Sequence, residues 1–168
     1  MELQFSNPDH FTNVQMVHDT VMGGRSRGFV EPVAEPVGLR FYGELSLANN
    51  GGFASAQFRL AEALPVFDYN RITLHLAADG RAYQLRLKTP FIPGGVAYVA
   101  NFQTSVDQPS YDFQPNSFVG QFRGRRVRNL PPLNFADVSH ISVMLADKNS
   151  GEFDIILYSI DFSSLQSI

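Results

Sequence analysis

The residues best suited to ligand chemistry lie in one run near the amino terminus, His18–Gly28, which combines an acid, adjacent glycines, arginines and a hydroxyl. Adjacent glycines reach backbone angles closed to other residues and weaken helices and strands, so Gly23 and Gly24 predict a formed loop. Asp19 and Ser26 can accept hydrogen bonds from backbone amides in such a loop. The loop is either a ligand-binding site built from these four residues or a turn that Asp19 caps. Asp-to-backbone bonding is common in turns, which favours the turn.

A second polar group follows the turn at Asn50. Asn-Gly is the strongest short signal for a β-hairpin turn, and at least one of the two glycines after Asn50 is predicted to have a positive φ angle. In the next run, Phe53–Leu60, residue types alternate so that Ser55, Gln57 and Arg59 share one face. Such a face is usually solvated on a β-sandwich, but on the concave side of a jelly roll it is an alternative ligand site.

Arg81 lies in a third turn, Asp79–Tyr83. A guanidinium presents five donors in a fixed fork, which suits it to carboxylate and backbone oxygens. We therefore predict that Arg81 pairs with Asp19 or Asp147, and that the loop at residues 19–26 packs against this turn. A ligand-binding role for Arg81 is the alternative to a purely structural one.

The one dense basic run of the sequence is Arg123–Arg128. Such a run either binds phosphate groups of lipid or RNA or forms a solvated loop that pairs with surface acids, and the second interpretation is favoured. The aromatic platform that single-stranded nucleic acid needs is only hinted at by Phe118 and Phe122. Because the net charge is −3, strong nucleic-acid binding is not expected.

The sequence offers little for catalysis or metal binding. Its four histidines, His10, His18, His75 and His140, are scattered without the spacing of a metal site. Cysteine is absent, which excludes thiolate chemistry and disulfides, and neither a nucleophile elbow nor a dinucleotide fingerprint is present. We expect no enzyme activity, cofactor or metal; an enzyme would need a carboxylate pair converging on the polar face of residues 53–60.

The elements that must position these side chains are runs of alternating apolar and polar residues, and turn residues separate one run from the next. The alternating runs are 39–47, 53–60, 71–77, 82–88, 96–103, 140–145 and 152–160. Helix signals are confined to two short turns, at 61–64 and 131–137. The pattern predicts an all-β fold, an antiparallel β-sandwich or jelly roll, in a single domain over residues 1–168.

The amino terminus has neither the basic start and apolar run of a secretory signal nor the arginine-rich character of a mitochondrial presequence. No apolar run approaches the length needed to span a membrane. From these features we expect a cytoplasmic protein without a transmembrane segment.

Six motifs follow one another in a specific order along the chain. They are Asp19–Ser26, Phe41–Leu47, Asn50–Ser55, Asp79–Tyr83, Phe122–Arg125 and Ala146–Phe153. This order closely resembles the complex I intermediate-associated protein 30 (CIA30) family, over roughly residues 13–162.

The resemblance implies a galactose-binding-domain-like jelly roll and a non-enzymatic role. Mitochondrial members of the family are assembly factors for respiratory complex I, and this chain resembles the stand-alone bacterial members in its brevity. The resemblance therefore implies a binding module that assists assembly of a complex I-like complex or scaffolds it, in the manner of an assembly chaperone. Complex I subunits or assembly intermediates are the implied protein partners. The alternative is a carbohydrate- or small-ligand-binding β-sandwich that uses its concave face.

Overall fold

The structure is a computed structural model that describes residues 1–18, 24–48 and 52–165. Within these residues the chain forms thirteen strands. They are β1 Glu2–Gln4, β2 Phe11–His18, β3 Arg27–Ala34, β4 Val37–Leu45, β5 Ala54–Leu60, β6 Arg71–Ala77, β7 Ala82–Lys88, β8 Val96–Gln103, β9 Ser110–Phe113, β10 Val119–Phe122, β11 Arg125–Arg126, β12 His140–Leu145 and β13 Gly151–Ser163.

The strands form two antiparallel sheets. The six-stranded sheet has the order β3-β4-β13-β6-β9, and β1 pairs with the last part of β13. The seven-stranded sheet has the order β11-β10-β8-β7-β12-β5-β2. Each sheet therefore joins strands that are distant in sequence, such as β12 between β5 and β7. The predicted all-β antiparallel sandwich is confirmed.

The described residues contain two complete 3-10 turns, Pro115–Ser117 and Phe135–Asp137, and no α-helix. The second turn lies in the segment where a short turn was predicted, and the side chain of Asn134 caps it by accepting a hydrogen bond from the amide of Ala136 at 3.1 Å. None of the helical segments described is long and apolar enough to cross a membrane.

A core rich in aromatic rings holds the two sheets together. Phe5 follows β1 of the six-stranded sheet, and its ring centroid lies 4.8 Å from that of Phe58 on β5 of the seven-stranded sheet. Phe135 lies between strands and contacts Phe162 of β13 at 6.4 Å. All four of these rings are at most 2% exposed. Burial of each ring stabilises the fold by roughly 1.5–3 kcal/mol. Because the rings must face the core, the alternate residues of the same strands face outward.

Candidate functional site

The predicted loop site is described only in part. Asp19, Gly23 and Asn50 lie outside the described residues, so their predicted roles stay predictions. Ser26 is fully buried, where its hydroxyl donates to the carbonyl of Ser46 at 3.1 Å and accepts from the Ser46 amide at 2.9 Å. These bonds join the start of β3 to the segment after β4, which is a structural role for Ser26.

Gly24 is buried beside Ser26, and residues 19–23 before it are outside the described ranges. The predicted contact between this loop and the turn at Asp79–Arg81 therefore also stays a prediction. In the described part of the loop, Ser26 bonds to the backbone of Ser46.

The alternation predicted for β5 is present, but only Gln57 and Arg59 are accessible on its outward face. Ala54, Ala56, Phe58 and Leu60 point into the core and are buried, which directs the alternate side chains outward. Of those three, Arg59 is exposed, Gln57 is half-buried and Ser55 is fully buried.

Strand register extends this polar face across the seven-stranded sheet. Residues directly opposite in antiparallel strands project to the same side, so each outward residue of β5 continues into a row. We call this outward side the basic face. Its residues are Thr12, Gln15, Val17, Ser55, Gln57, Arg59, Gln84, Arg86, Lys88, Ala97, Val99, Asn101, Val119, Gln121, Arg126, His140, Ser142 and Met144.

The first row of the basic face carries most of its charge. Arg59 pairs with His140, and His140 pairs on its other side with Lys88. Beyond β8 the row continues through Gln121 to Arg126. Three cationic side chains and an imidazole therefore lie on one line across the sheet.

Arg86 lies in the middle row, opposite Ser142 on one side and Val99 on the other. It is half-buried, and its Nη1 donates to the side-chain oxygen of Gln84 at 2.9 Å. Burial lowers the pKa of Arg86 from its ordinary value, although a guanidinium remains charged at any physiological pH. No ion pair involves this arginine among the described residues.

Acidic residues are absent from all seven strands of this sheet, which contain five basic residues. The strands of the six-stranded sheet contain seven acidic and three basic residues. There Arg40 binds Asp154 and Glu31, and Arg71 binds Asp112. The seven-stranded sheet is therefore cationic and the six-stranded sheet anionic, in a protein whose net charge is −3. The cationic side is the basic face.

The environment of His140 reflects this charge. Burial lowers the pKa of its imidazole, and the positive charges of Arg59 and Lys88 lower it further. Its Nδ1 also lies 2.9 Å from the hydroxyl of Ser139. The lowered pKa favours the neutral imidazole, which both donates and accepts hydrogen bonds.

Arg81 lies outside the basic face, in a closely bonded cluster at one end of the fold. Its Nε and Nη2 donate to the two carboxylate oxygens of Asp147 at 3.0 and 2.7 Å, which confirms the predicted pair with Asp147. Its Nη1 donates to the carbonyls of Gly151 and Glu152, each at 3.1 Å, and Nη2 also donates to the carbonyl of Asn149. These five bonds use all five donors of the guanidinium.

Asp79 links this cluster to both sheets. Its carboxylate accepts from the amide of Arg81 at 3.1 Å, the hydroxyl of Tyr83 at 2.7 Å and the amide of Asp154 at 2.9 Å. A cleft of about 470 Å³ opens beside the cluster, lined in part by Arg81 and Gln103. Since Arg81 donates every hydrogen to the fold, its described contacts support a structural role.

The basic run predicted from the sequence forms the hairpin β10–β11. Arg123 and Gly124 both have positive φ angles, 50° and 79°, which are the angles of a type I′ turn. The guanidinium of Arg123 lies 5.2 Å from the ring centroid of Phe122. The arginines of the run are exposed, and none has an ion-pair partner among the described residues, so the predicted pairing with surface acids finds no support there.

Sequence reasoning missed Arg86, Lys88 and His140 as members of the site. Alternation along the run 82–88 places Arg86 and Lys88 outside the core. It does not predict which strands lie beside β5. The runs 53–60, 82–88, 96–103 and 140–145 all lack acids, but so does the run 71–77 of the other sheet, so this signal alone does not identify the site.

The described residues contain no cluster of three or more histidine, aspartate or glutamate side chains that could hold a metal ion. The carboxylates of Asp79 and Asp147 accept backbone and side-chain hydrogen bonds from the protein itself.

Solved structures with a similar fold include carbohydrate-binding modules. The family 11 carbohydrate-binding module from Clostridium thermocellum, in complex with a β-1,3-1,4-mixed-linked tetrasaccharide, has a TM-score of 0.63 and 14% identity, covering 99% of this chain and 98% of that one. The family 11 module of the cellulosomal cellulase Lic26A-Cel5E of Clostridium thermocellum has a TM-score of 0.60 and 13% identity, covering 100% and 98%. At this identity the likeness shows the fold alone.

The sequence itself points to another family. No curated protein matches the chain. Residues 3–157 match the family described as Complex I intermediate-associated protein 30 (CIA30), which is nearly the whole chain. The protein therefore belongs to the CIA30 family.

Proposed function

We propose that this protein is a non-enzymatic binding module that assists assembly of a respiratory complex I-like complex or scaffolds it. Complex I subunits or assembly intermediates are its proposed partners, as family membership suggests. The structural observation that supports the proposal is the basic face, a sheet surface of cationic and amide side chains without a single carboxylate.

The chemistry of the basic face suits protein recognition. Gln15, Gln57 and Gln84 present amides that both donate and accept hydrogen bonds, which allows them to bind peptide groups. Arg86 has a desolvated guanidinium without an ion-pair partner in the described residues, so a partner's oxygen would complete its bonding. Arginine is also a residue type enriched at interface hot spots.

The basic face is large enough for a specific interface. The strands of this sheet hold between two and eight residues each and are spaced by about 4.8 Å, which at about 3.3 Å per residue gives a surface on the order of 600 Å². A standard protein–protein interface buries about 800 Å² on each partner. The face and a few residues at its rim would supply that area.

Carbohydrate binding on the same face is the second candidate function. The adjacent polar side chains of Gln57 and Arg59 support it, because convergent polar groups fix the orientation of small ligands. Such sites usually add aromatic surfaces, however, and the aromatic residues of the central strands point into the core. These buried residues are Phe58, Tyr83, Tyr98 and Phe102.

A pull-down from the native host tests the leading proposal. Immobilised wild-type protein should recover complex I subunits, and the double variant Arg59→Gln, Lys88→Gln should recover them several-fold less. The variant Arg27→Gln on β3 is the control, because that exposed arginine lies in the other sheet. Equal recovery by wild type and the double variant, or no complex I subunit in either, would contradict the proposal. A parallel calorimetric titration with a mixed-linked β-glucan tetrasaccharide tests the second candidate.

A further inference from the structure

The basic face has a regular charge spacing. Arg59, His140 and Lys88 lie on adjacent strands, so the guanidinium and ammonium groups are anchored two strand spacings apart, about 10 Å. Arg126 is anchored three strands further along the same row. The row from Arg59 to Arg126 therefore spans about 24 Å.

This spacing matches an extended polypeptide. A chain in the polyproline II conformation rises about 3.1 Å per residue with three residues per turn, so about eight residues cover the row, and residues three apart lie on one side of the chain about 9 Å apart. Carboxylates at such positions would meet Arg59 and Lys88 in turn. The amide of Gln121 lies within the row and that of Gln57 lies beside it. Both can form hydrogen bonds with the backbone of that chain.

Charge complementarity selects an acidic segment. The basic face carries four basic residues, Arg59, Arg86, Lys88 and Arg126, and no acid, whereas the strands of the other sheet carry seven acids, three of which pair with Arg40 and Arg71. A carboxylate accepts two parallel hydrogen bonds from a guanidinium, which gives a stronger contact than a neutral acceptor.

Other polyanions fit the basic face less well. Single-stranded nucleic acid needs aromatic side chains on which bases stack, and the three rows of the face contain none. Insertion into a membrane interface needs large apolar side chains beside the charges, and the rows offer only scattered ones such as Val119.

We infer that the basic face binds an extended acidic segment of the partner protein, with Arg59, Lys88 and Arg126 bound to its carboxylates. This inference rests on the proposed function, because it names the chemistry of the partner that the same face would bind. Arg86 at the centre of the face would bind a carboxylate or a backbone carbonyl of the same segment.

A fluorescein-labelled polyglutamate peptide of about eight residues is the probe, with fluorescence anisotropy as the measurement. Wild-type protein should bind it, and the triple variant Arg59→Gln, Lys88→Gln, Arg126→Gln should bind about tenfold more weakly or worse. Raising the salt concentration should weaken wild-type binding, since exposed charge pairs are screened. Arg27→Gln is the matched control and should bind like wild type. If thermal unfolding shows that the triple variant is unfolded, Lys88→Gln alone should still lower the affinity.

Two results would overturn the inference. The first is an absence of polyglutamate binding, or equal binding by wild type and the triple variant. The second is binding that depends on the same three residues but is tighter to phosphatidylserine vesicles or to the mixed-linked tetrasaccharide than to polyglutamate. If the pull-down still depends on the basic face when polyglutamate fails, the inference alone is wrong and the proposed function stands.

Discussion

Arg81 is bound by the protein itself through all five of its donors, and Asp147, one of the two predicted partners, accepts two of these bonds. The side chains of Arg81 and Asp147 are only 15% and 8% exposed, so their pair is poorly solvated. Removal of either partner leaves the other charge partly buried without its counterion. The pair therefore stabilises the fold mainly because breaking it is costly.

The Arg81–Asp147 pair gives a direct stability prediction. Arg81→Ala should lower the free energy of unfolding by about 3 kcal/mol, because three backbone carbonyls also lose their donors. A double-mutant cycle with Asp147→Ala, measured by urea unfolding, should give an interaction energy of about 0.5–3 kcal/mol. Additive losses would show that the two side chains are not coupled. Arg27→Ala is the exposed control and should stay within about 0.5 kcal/mol of wild type.

The same pair predicts a pH dependence of stability. Burial acts to raise the pKa of Asp147, but the hydrogen bond and charge of Arg81 and the amide of Asn149 outweigh it and hold the pKa below its ordinary value. A carboxyl with a lowered pKa in the folded state contributes stability above its unfolded pKa of about 3.9, and that contribution is lost as pH falls through the folded value.

Urea unfolding at several pH values measures this contribution. Wild-type stability should fall more steeply below about pH 4 than that of Asp147→Asn, which has no carboxyl to protonate. Parallel pH profiles for the two proteins would mean that Asp147 has the same pKa when folded and unfolded.

At the scale of elements, the turn before β5 shows what a local signal can establish. One of the two glycines after Asn50 was predicted to have a positive φ angle, and Gly52 has a φ of 140°. Gly51 lies outside the described residues. A Cβ at Gly52 would lie 3.2 Å from Cδ2 of Leu47, closer than ordinary contact.

Gly52→Val should therefore lower the free energy of unfolding by about 1–3 kcal/mol, since a β-branched residue is strained at this backbone angle. Gly94→Ala is the control, because a Cβ there meets no atom within 4 Å. Thermal melts of both variants check the prediction. A melting temperature of Gly52→Val equal to that of wild type would show that the turn adapts.

The individual strands could be predicted because each alternates apolar and polar residues, as β5 and β7 do. The helical turn predicted at 61–64 is wrong. The amide of Ala61 instead donates to the carbonyl of His10 at 2.8 Å, and Leu64 is buried at 5% exposure. A tertiary contact thus overrides a weak local helix preference.

The order of strands in the sheets could not be predicted. Most of the candidate site depends on that order, so it could not be predicted either. His140 and Lys88 lie far apart in sequence, and only the insertion of β12 between β5 and β7 places them beside Arg59. Alternation gives the face of a residue but not the neighbouring strand, because strand pairing depends on the packing of the whole core.

At the scale of the whole molecule, the basic face is the feature on which the functional account depends. A protein with a net charge of −3 keeps every acid out of seven strands that lie side by side, while the strands of the other sheet carry seven acids and only three basic residues. Such an arrangement steers an acidic partner toward one side and away from the other.

NMR of the ¹⁵N-labelled protein with a complex I subunit recovered in the pull-down tests this claim most directly. The side-chain amide signals of Gln57, Gln84 and Gln121 report on the basic face, and that of Gln103 reports on the cleft beside Arg81. We expect the three signals from the basic face to shift or broaden on addition of the subunit, and the Gln103 signal to stay unchanged. Unchanged signals from the basic face, with shifts confined to Gln103 or to the strands of the six-stranded sheet, would contradict it.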